Sequence, residues 1–105
     1  MSHRERLFVY GTLKDRKVQK KVFNESLKGI YDSLTGYKKS KIITKKGTFP
    51  VIVPEKGDLV KGLNIFVTPR ELKSIDKYEG FEYKKKKVVL KSRRKAQVYV
   101  KRNKN

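Results

Sequence analysis

The chain has no cysteine and no tryptophan, a single histidine, and only 10 acidic residues against 29 lysines and arginines. Each shortage closes off some chemistry. Without cysteine there is no disulfide, no thiolate nucleophile and no cysteine-based metal site. The one imidazole, His3, sits among the first residues, which argues against imidazole catalysis and against a histidine cluster holding a metal. No apolar run approaches the roughly 18 residues of a membrane span. The opening Met1-Ser2-His3-Arg4-Glu5-Arg6 has no long apolar stretch behind it of the kind a signal peptide needs. The expectation is a cytoplasmic protein.

Positive charge is what the chain has in excess, a formal +19. Such a surface attracts polyanions, so nucleic-acid binding stands as one hypothesis. The basic residues are not gathered in one block, however, but recur at Lys14 to Lys21, Lys38 to Lys46, Lys84 to Lys87, Lys91 to Lys95 and Lys101 to Lys104. A lysine-dominated surface is also what a heat-adapted (thermophile) or AT-rich genome produces. At 105 residues and 36% hydrophobic content, the expectation is one domain over residues 1–105, with a compact core from about 6 to 101.

Along the chain, a first strand is expected from about Arg6 to Tyr10. A short amphipathic helix or helical turn follows within Asp15 to Leu27, where Val18, Val22 or Phe23, and Ser26 or Leu27 recur at intervals of three and four. Two β segments are expected at about Leu27 to Leu34 and Gly36 to Ile43. The extended run Thr48 to Pro54 carries two prolines that cannot donate to a ladder, which puts it at a sheet edge or along a cleft. Glu55-Lys56-Gly57-Asp58 reads as a turn and Leu59 to Val67 as a strand. Thr68-Pro69-Arg70-Glu71 fits a capping box, with Thr68 as N-cap and Glu71 reaching back, and it opens a helix that Gly80 ends. Two strands, Lys86 to Lys91 and Ala96 to Val100, are joined as a hairpin by the basic loop Ser92 to Lys95. Six or seven strands with two short helices, and no repeating β-α-β rhythm, predict an α+β fold: a small, mostly antiparallel β-barrel with two flanking helices.

Two places stand out. In Leu7-Phe8-Val9-Tyr10-Gly11-Thr12-Leu13 a β-favouring run stops at a glycine and a hydroxyl residue, and consecutive amides of Gly11, Thr12 and Leu13 suit an anionic group. Glu79 stands at the C-terminal end of the capped helix, where the helix dipole disfavours a carboxylate; such departures concentrate at functional sites.

Taken together, Val9-Tyr10-Gly11-Thr12-Leu13, Phe49-Pro50-Val51, Gly62, the run from Leu72 to Tyr83 containing Asp76-Lys77-Tyr78-Glu79-Gly80, and Ala96-Gln97-Val98-Tyr99-Val100 resemble the γ-glutamyl cyclotransferase-like superfamily. The resemblance is to its small γ-glutamylamine cyclotransferase branch, and it runs from about Leu7 to Val100. It implies a small barrel in which the Gly11 turn and the Glu79 helix end meet over one pocket. It further implies that Glu79 is the catalytic carboxylate, that Tyr10, Gly11, Thr12 and Leu13 hold the γ-glutamyl moiety, and that Tyr83 and Tyr99 lie near it. Phe49 stands where the family often has Tyr, and Val51 where a small residue is common.

The implied reaction converts a γ-glutamyl amine or γ-glutamyl peptide to 5-oxoproline and a free amine. Its nucleophile is the substrate's own α-amino group, so it calls for no cofactor, no metal and no Ser or Cys. The alternative is a basic nucleic-acid or polyanion binding module on the same barrel, without catalysis, with Tyr31, Tyr37 or Tyr83 as stacking partners.

Overall fold

Alternation along β1 (Glu5–Val9) sets the plan of the molecule. Leu7 and Val9 point to one face of the sheet and Phe8 and Tyr10 to the other, and all are buried. The computed structural model describes residues 5–10, 17, 20, 29–45, 47–79 and 83–101, with the side chains of 44, 78 and 79 outside that description. Within these residues β2 (Gly29–Thr44) and β3 (Gly47–Val67) form one long antiparallel hairpin, and β4 (Tyr83–Val89) and β5 (Lys95–Lys101) form a second.

The sheet order is β2-β3-β1-β5-β4, with β1 and β5 parallel and the other pairs antiparallel. The two end strands approach each other as the sheet curls into a half-barrel. Lys91 N–H donates to the Ser33 carbonyl at 2.8 Å, and the Lys86 ammonium reaches the Tyr37 hydroxyl at 3.0 Å. Asp32 on β2 holds the β4–β5 loop by accepting bonds from the hydroxyl and amide of Ser92, and it also accepts the amide of Ser33. Burial pushes the Asp32 carboxyl upward. The Ser92 hydroxyl, the two amides and the charge of Arg94 outweigh it and hold the group below its ordinary value.

One helix, Pro69–Glu79, lies against the sheet. Its capping box forms as expected: Thr68 N–H donates to Glu71 Oε1 at 2.8 Å and Glu71 N–H to Thr68 Oγ1 at 3.1 Å. Leu72 and Ile75 anchor it on Leu7, Val9, Val51, Ile65 and Val67 in the outer cluster. Ile75 is fully buried, which contributes about 1.5–3 kcal/mol to holding the helix in place. The opposite face of the sheet encloses Phe8, Leu34, Ile52, Val60, Leu90, Ala96, Val98 and Val100, the inner cluster of the half-barrel.

The structure departs from the expected boundaries in one instructive way. The segments expected at 27–34 and 36–43 are a single strand, as are those at 48–54 and 59–67. The Glu55–Asp58 turn is a bulge. Thr35 pairs with Leu59 and Tyr37 with Pro54, so residues 55–58 stand opposite Gly36 alone. Gly36 and Gly57 have φ of +83° and +87°, which is the bend the turn-like residues signalled. Likewise β4 begins at Tyr83 instead of Lys86, because its lysines are edge residues with nothing to bury. Of the helix expected within 15–27, only Lys17 and Lys20 are described, and both are helical.

Candidate active site

Because β1 and β5 are adjacent and parallel, their C-terminal ends emerge at the same edge of the sheet. One end presents Tyr10, the residue before Gly11, and the other presents Tyr99 and Val100. The Tyr10 hydroxyl donates to the Tyr99 carbonyl at 2.6 Å, in a buried bond that spans 89 positions of sequence. On the outer face the Tyr99 hydroxyl donates to Asp76 Oδ1. The other oxygen of Asp76 receives the Lys85 ammonium of β4 at 3.1 Å. A continuous chain of contacts thus runs from the end of β1, through β5, to the last turns of the helix.

Glu79 is the final residue of that helix, three positions and about one turn beyond Asp76. Its side chain is outside the described groups, as are Gly11, Thr12 and Leu13. Tyr83 opens β4 four residues later; it is buried in the outer cluster with Tyr99, and its hydroxyl donates to the Pro50 carbonyl at 2.5 Å. Of the residues singled out from sequence, Tyr10, Tyr83 and Tyr99 are therefore placed at one end of the sheet, and Asp76, one helical turn before position 79, is tied to it.

Sequence reasoning missed Asp76 as an anchor. In the chain it is one more acidic residue of an amphipathic helix, and only its partners on β4 and β5 show what it holds. Pro50 was expected at an edge or cleft, and its carbonyl is the acceptor that fixes Tyr83. Among the described residues no group of three or more His, Asp or Glu side chains comes together to hold a metal ion. No helix of the described residues is long and apolar enough to cross a membrane.

Comparison with known proteins places this arrangement. A family model described as gamma-glutamyl cyclotransferase, AIG2-like, matches residues 7–105. No curated protein matches the chain. Among solved structures, an Arabidopsis thaliana protein determined in solution superposes with a TM-score of 0.81 at 25% identity, covering 97% of this chain and 71% of its own. An uncharacterized protein from Pyrococcus horikoshii gives a TM-score of 0.69 at 24% identity, over 95% of this chain and 80% of its own. A protein described as gamma-glutamyl cyclotransferase gives 0.73 at 18% identity, over 96% and 68%, which speaks to the fold alone. The family match over nearly the whole sequence, on a curled α+β sheet of the same fold, shows that the chain belongs to the AIG2-like gamma-glutamyl cyclotransferase family.

Proposed function

We propose that this protein converts a γ-glutamyl amine or γ-glutamyl peptide into 5-oxoproline and the free amine, with Glu79 as general acid and base. The observation that carries this reading is the Tyr10–Tyr99–Asp76 chain of hydrogen bonds. It ties the strand end leading into Gly11 to the helical turn leading into Glu79. Family membership supplies the reaction class.

The chemistry fits the residue types. The substrate's α-amino nitrogen attacks its own γ-carbonyl carbon, the five-membered lactam closes, and the bond to the departing amine breaks. Because the attack is intramolecular, what the protein supplies is orientation and proton transfer, and fixed geometry alone lowers the barrier by several kcal/mol. Two protons leave the α-ammonium nitrogen as it becomes the lactam N–H, and two reach the departing nitrogen as it becomes a free ammonium; Glu79 takes from the first and gives to the second, so none is gained or lost overall. A carboxylate at a helix C-terminus faces the negative end of the helix dipole, which favours the protonated form that the second step needs. Amides of Gly11, Thr12 and Leu13 receive anionic oxygen of the substrate. The aromatic bodies of Tyr83 and Tyr99 wall the same edge.

The test is 5-oxoproline release from a panel of γ-glutamyl amines and dipeptides. Glu79→Gln, which keeps shape and loses the titrating proton, is expected to lower kcat by about 10²–10⁴-fold. Equal rates for the two proteins refute the assignment.

A further inference from the structure

The surplus of positive charge takes no part in lactam formation, and the structure places some of it with purpose. Where the two ends of the curled sheet face each other, a cleft of 310 Å³ opens along the seam, lined among others by Tyr37, Pro54, Lys84, Lys86, Val100 and Lys101. Its lining draws on both faces of the sheet: Tyr37, Ile52 and Val100 belong with the inner cluster, and Val53 packs against the outer one. Lys85, between Lys84 and Lys86, is neutralised by Asp76, while the cleft lining holds no acidic side chain among the described residues.

We infer that this seam cleft binds a single strand of nucleic acid, with phosphates on Lys84, Lys86 and Lys101 and a base against Tyr37. Three features of the cleft argue for this ligand. Alternation along β4 puts Lys84 and Lys86 on one side of the strand, about 7 Å apart, which is the spacing of successive phosphates along an extended single strand. The floor is apolar, with Ile52 and Val100 almost fully buried beneath it; a bare anion gains nothing there, and a base does. Tyr37 is half-buried, and its hydroxyl accepts a hydrogen bond from the Lys86 ammonium at 3.0 Å, which sets a cation at the edge of the ring. Cations interleaved with an aromatic ring are the usual platform for a single strand. Protecting an edge strand from stray pairing requires charge, but it requires neither a cleft nor a ring.

The experiment is fluorescence anisotropy with a labelled oligothymidylate, titrated at several salt concentrations, with unlabelled inorganic polyphosphate and a duplex of equal length as competitors. Each lysine–phosphate contact adds about 0.7 to the salt slope of a single strand. The pair Lys84→Gln and Lys86→Gln is therefore expected to make the slope shallower by about 1.4 and to weaken binding about 25-fold at 0.1 M salt. Lys20→Gln with Lys73→Gln removes the same net charge elsewhere and is expected to change affinity less than about threefold. Tyr37→Ala is expected to weaken oligothymidylate about tenfold and leave polyphosphate unchanged, while Tyr37→Phe keeps the ring and the affinity.

Equal losses from the two lysine pairs overturn the proposal, because the charge is then diffuse. Stronger competition by duplex or by polyphosphate than by the unlabelled strand overturns it too, as does an absence of binding at low salt. Thermal melts establish that each variant is folded. Should the double change at 84 and 86 unfold the protein, Lys84→Gln and Lys101→Gln taken singly carry the same test at half the expected change in slope. 5-Oxoproline release, read in parallel, is expected to be unaffected by Lys84→Gln.

Discussion

Gly62 lies under the ring of Phe8, one position from the register pair Val9–Leu63, at the point where β1 runs out toward Gly11. A Cβ there would sit 2.4 Å from the Val9 carbonyl oxygen and 2.8 Å from the tip of the Phe8 ring. Real Cβ atoms keep at least 3.0 Å, so the carbonyl must retreat by 0.6 Å or more. It has nowhere to go, since β1 is bonded to β3 on one side and β5 on the other. Phe8 is 1% exposed and equally confined. Gly62→Ala is thus an overpacking mutation at the costly end of the range, about 2–3 kcal/mol. The lower entropy of an unfolded chain carrying alanine gives back about 0.4–1 kcal/mol. The net loss is about 1–2.6 kcal/mol, which for a domain of this size corresponds to a fall in Tm of roughly 4–20 °C. Urea unfolding read by circular dichroism measures it. Gly57→Ala is the matched control: nothing lies within 4 Å of its Cβ, and only its φ of +87° opposes the change, at about 1 kcal/mol. A Gly62→Ala protein within about 0.5 kcal/mol of wild type, or more stable than Gly57→Ala, would refute the claim that β1 and β3 are in backbone contact here.

Removing the Tyr99 hydroxyl deletes a bond to a carboxylate. Because the Asp76 side chain is 43% exposed, Tyr99→Phe is expected to cost about 1 kcal/mol in urea unfolding and to lower 5-oxoproline release more through kcat than through KM; unchanged stability and turnover would show that the bond anchors nothing. Thr68→Ala breaks the reciprocal cap and is expected to cost about 1 kcal/mol, with Glu71→Ala adding little on top of it; fully additive losses would contradict a shared motif. The depressed carboxyl of Asp32 gives stability that is present above its unfolded pKa and is lost as pH falls through the folded value. Wild type should therefore lose more Tm between pH 5 and pH 3 than Asp32→Asn does, and parallel curves would count against the Ser92 contacts.

Much of the fold is legible from local chemistry. Thr68-Pro69-Arg70-Glu71 states where a helix begins, because the residues that satisfy its first amides are neighbours in sequence. The alternation of Ala96, Val98 and Val100 states a strand with one buried face for the same reason. Glycines at 36 and 57 announce that the backbone must enter a left-handed conformation. They do not announce whether the chain then reverses or merely kinks within a longer strand, since that depends on which residues lie across the ladder. At the candidate site the division is similar. Tyr10 and Tyr99 are visible in sequence as aromatic residues at strand ends, but a hydrogen bond between residues so far apart, and the role it gives Asp76, exists only once β1 and β5 are side by side.

The sheet does not close on itself through a ladder of main-chain bonds. Among the described residues, one backbone bond, Lys91 to Ser33, and a few side-chain ties, Ser92 to Asp32, Tyr83 to Pro50 and Lys86 to Tyr37, join its two ends. Prolines 50 and 54 keep one lip of the gap from donating, and a row of ammonium groups keeps the other from accepting a stray partner. The half-barrel is in this respect a clasp: parting it costs a handful of peripheral bonds while every strand keeps its neighbours. Amide protons of residues 51–53 should consequently exchange by local opening, well before those at the centre of β1 and β5, which are shielded until the molecule as a whole comes apart.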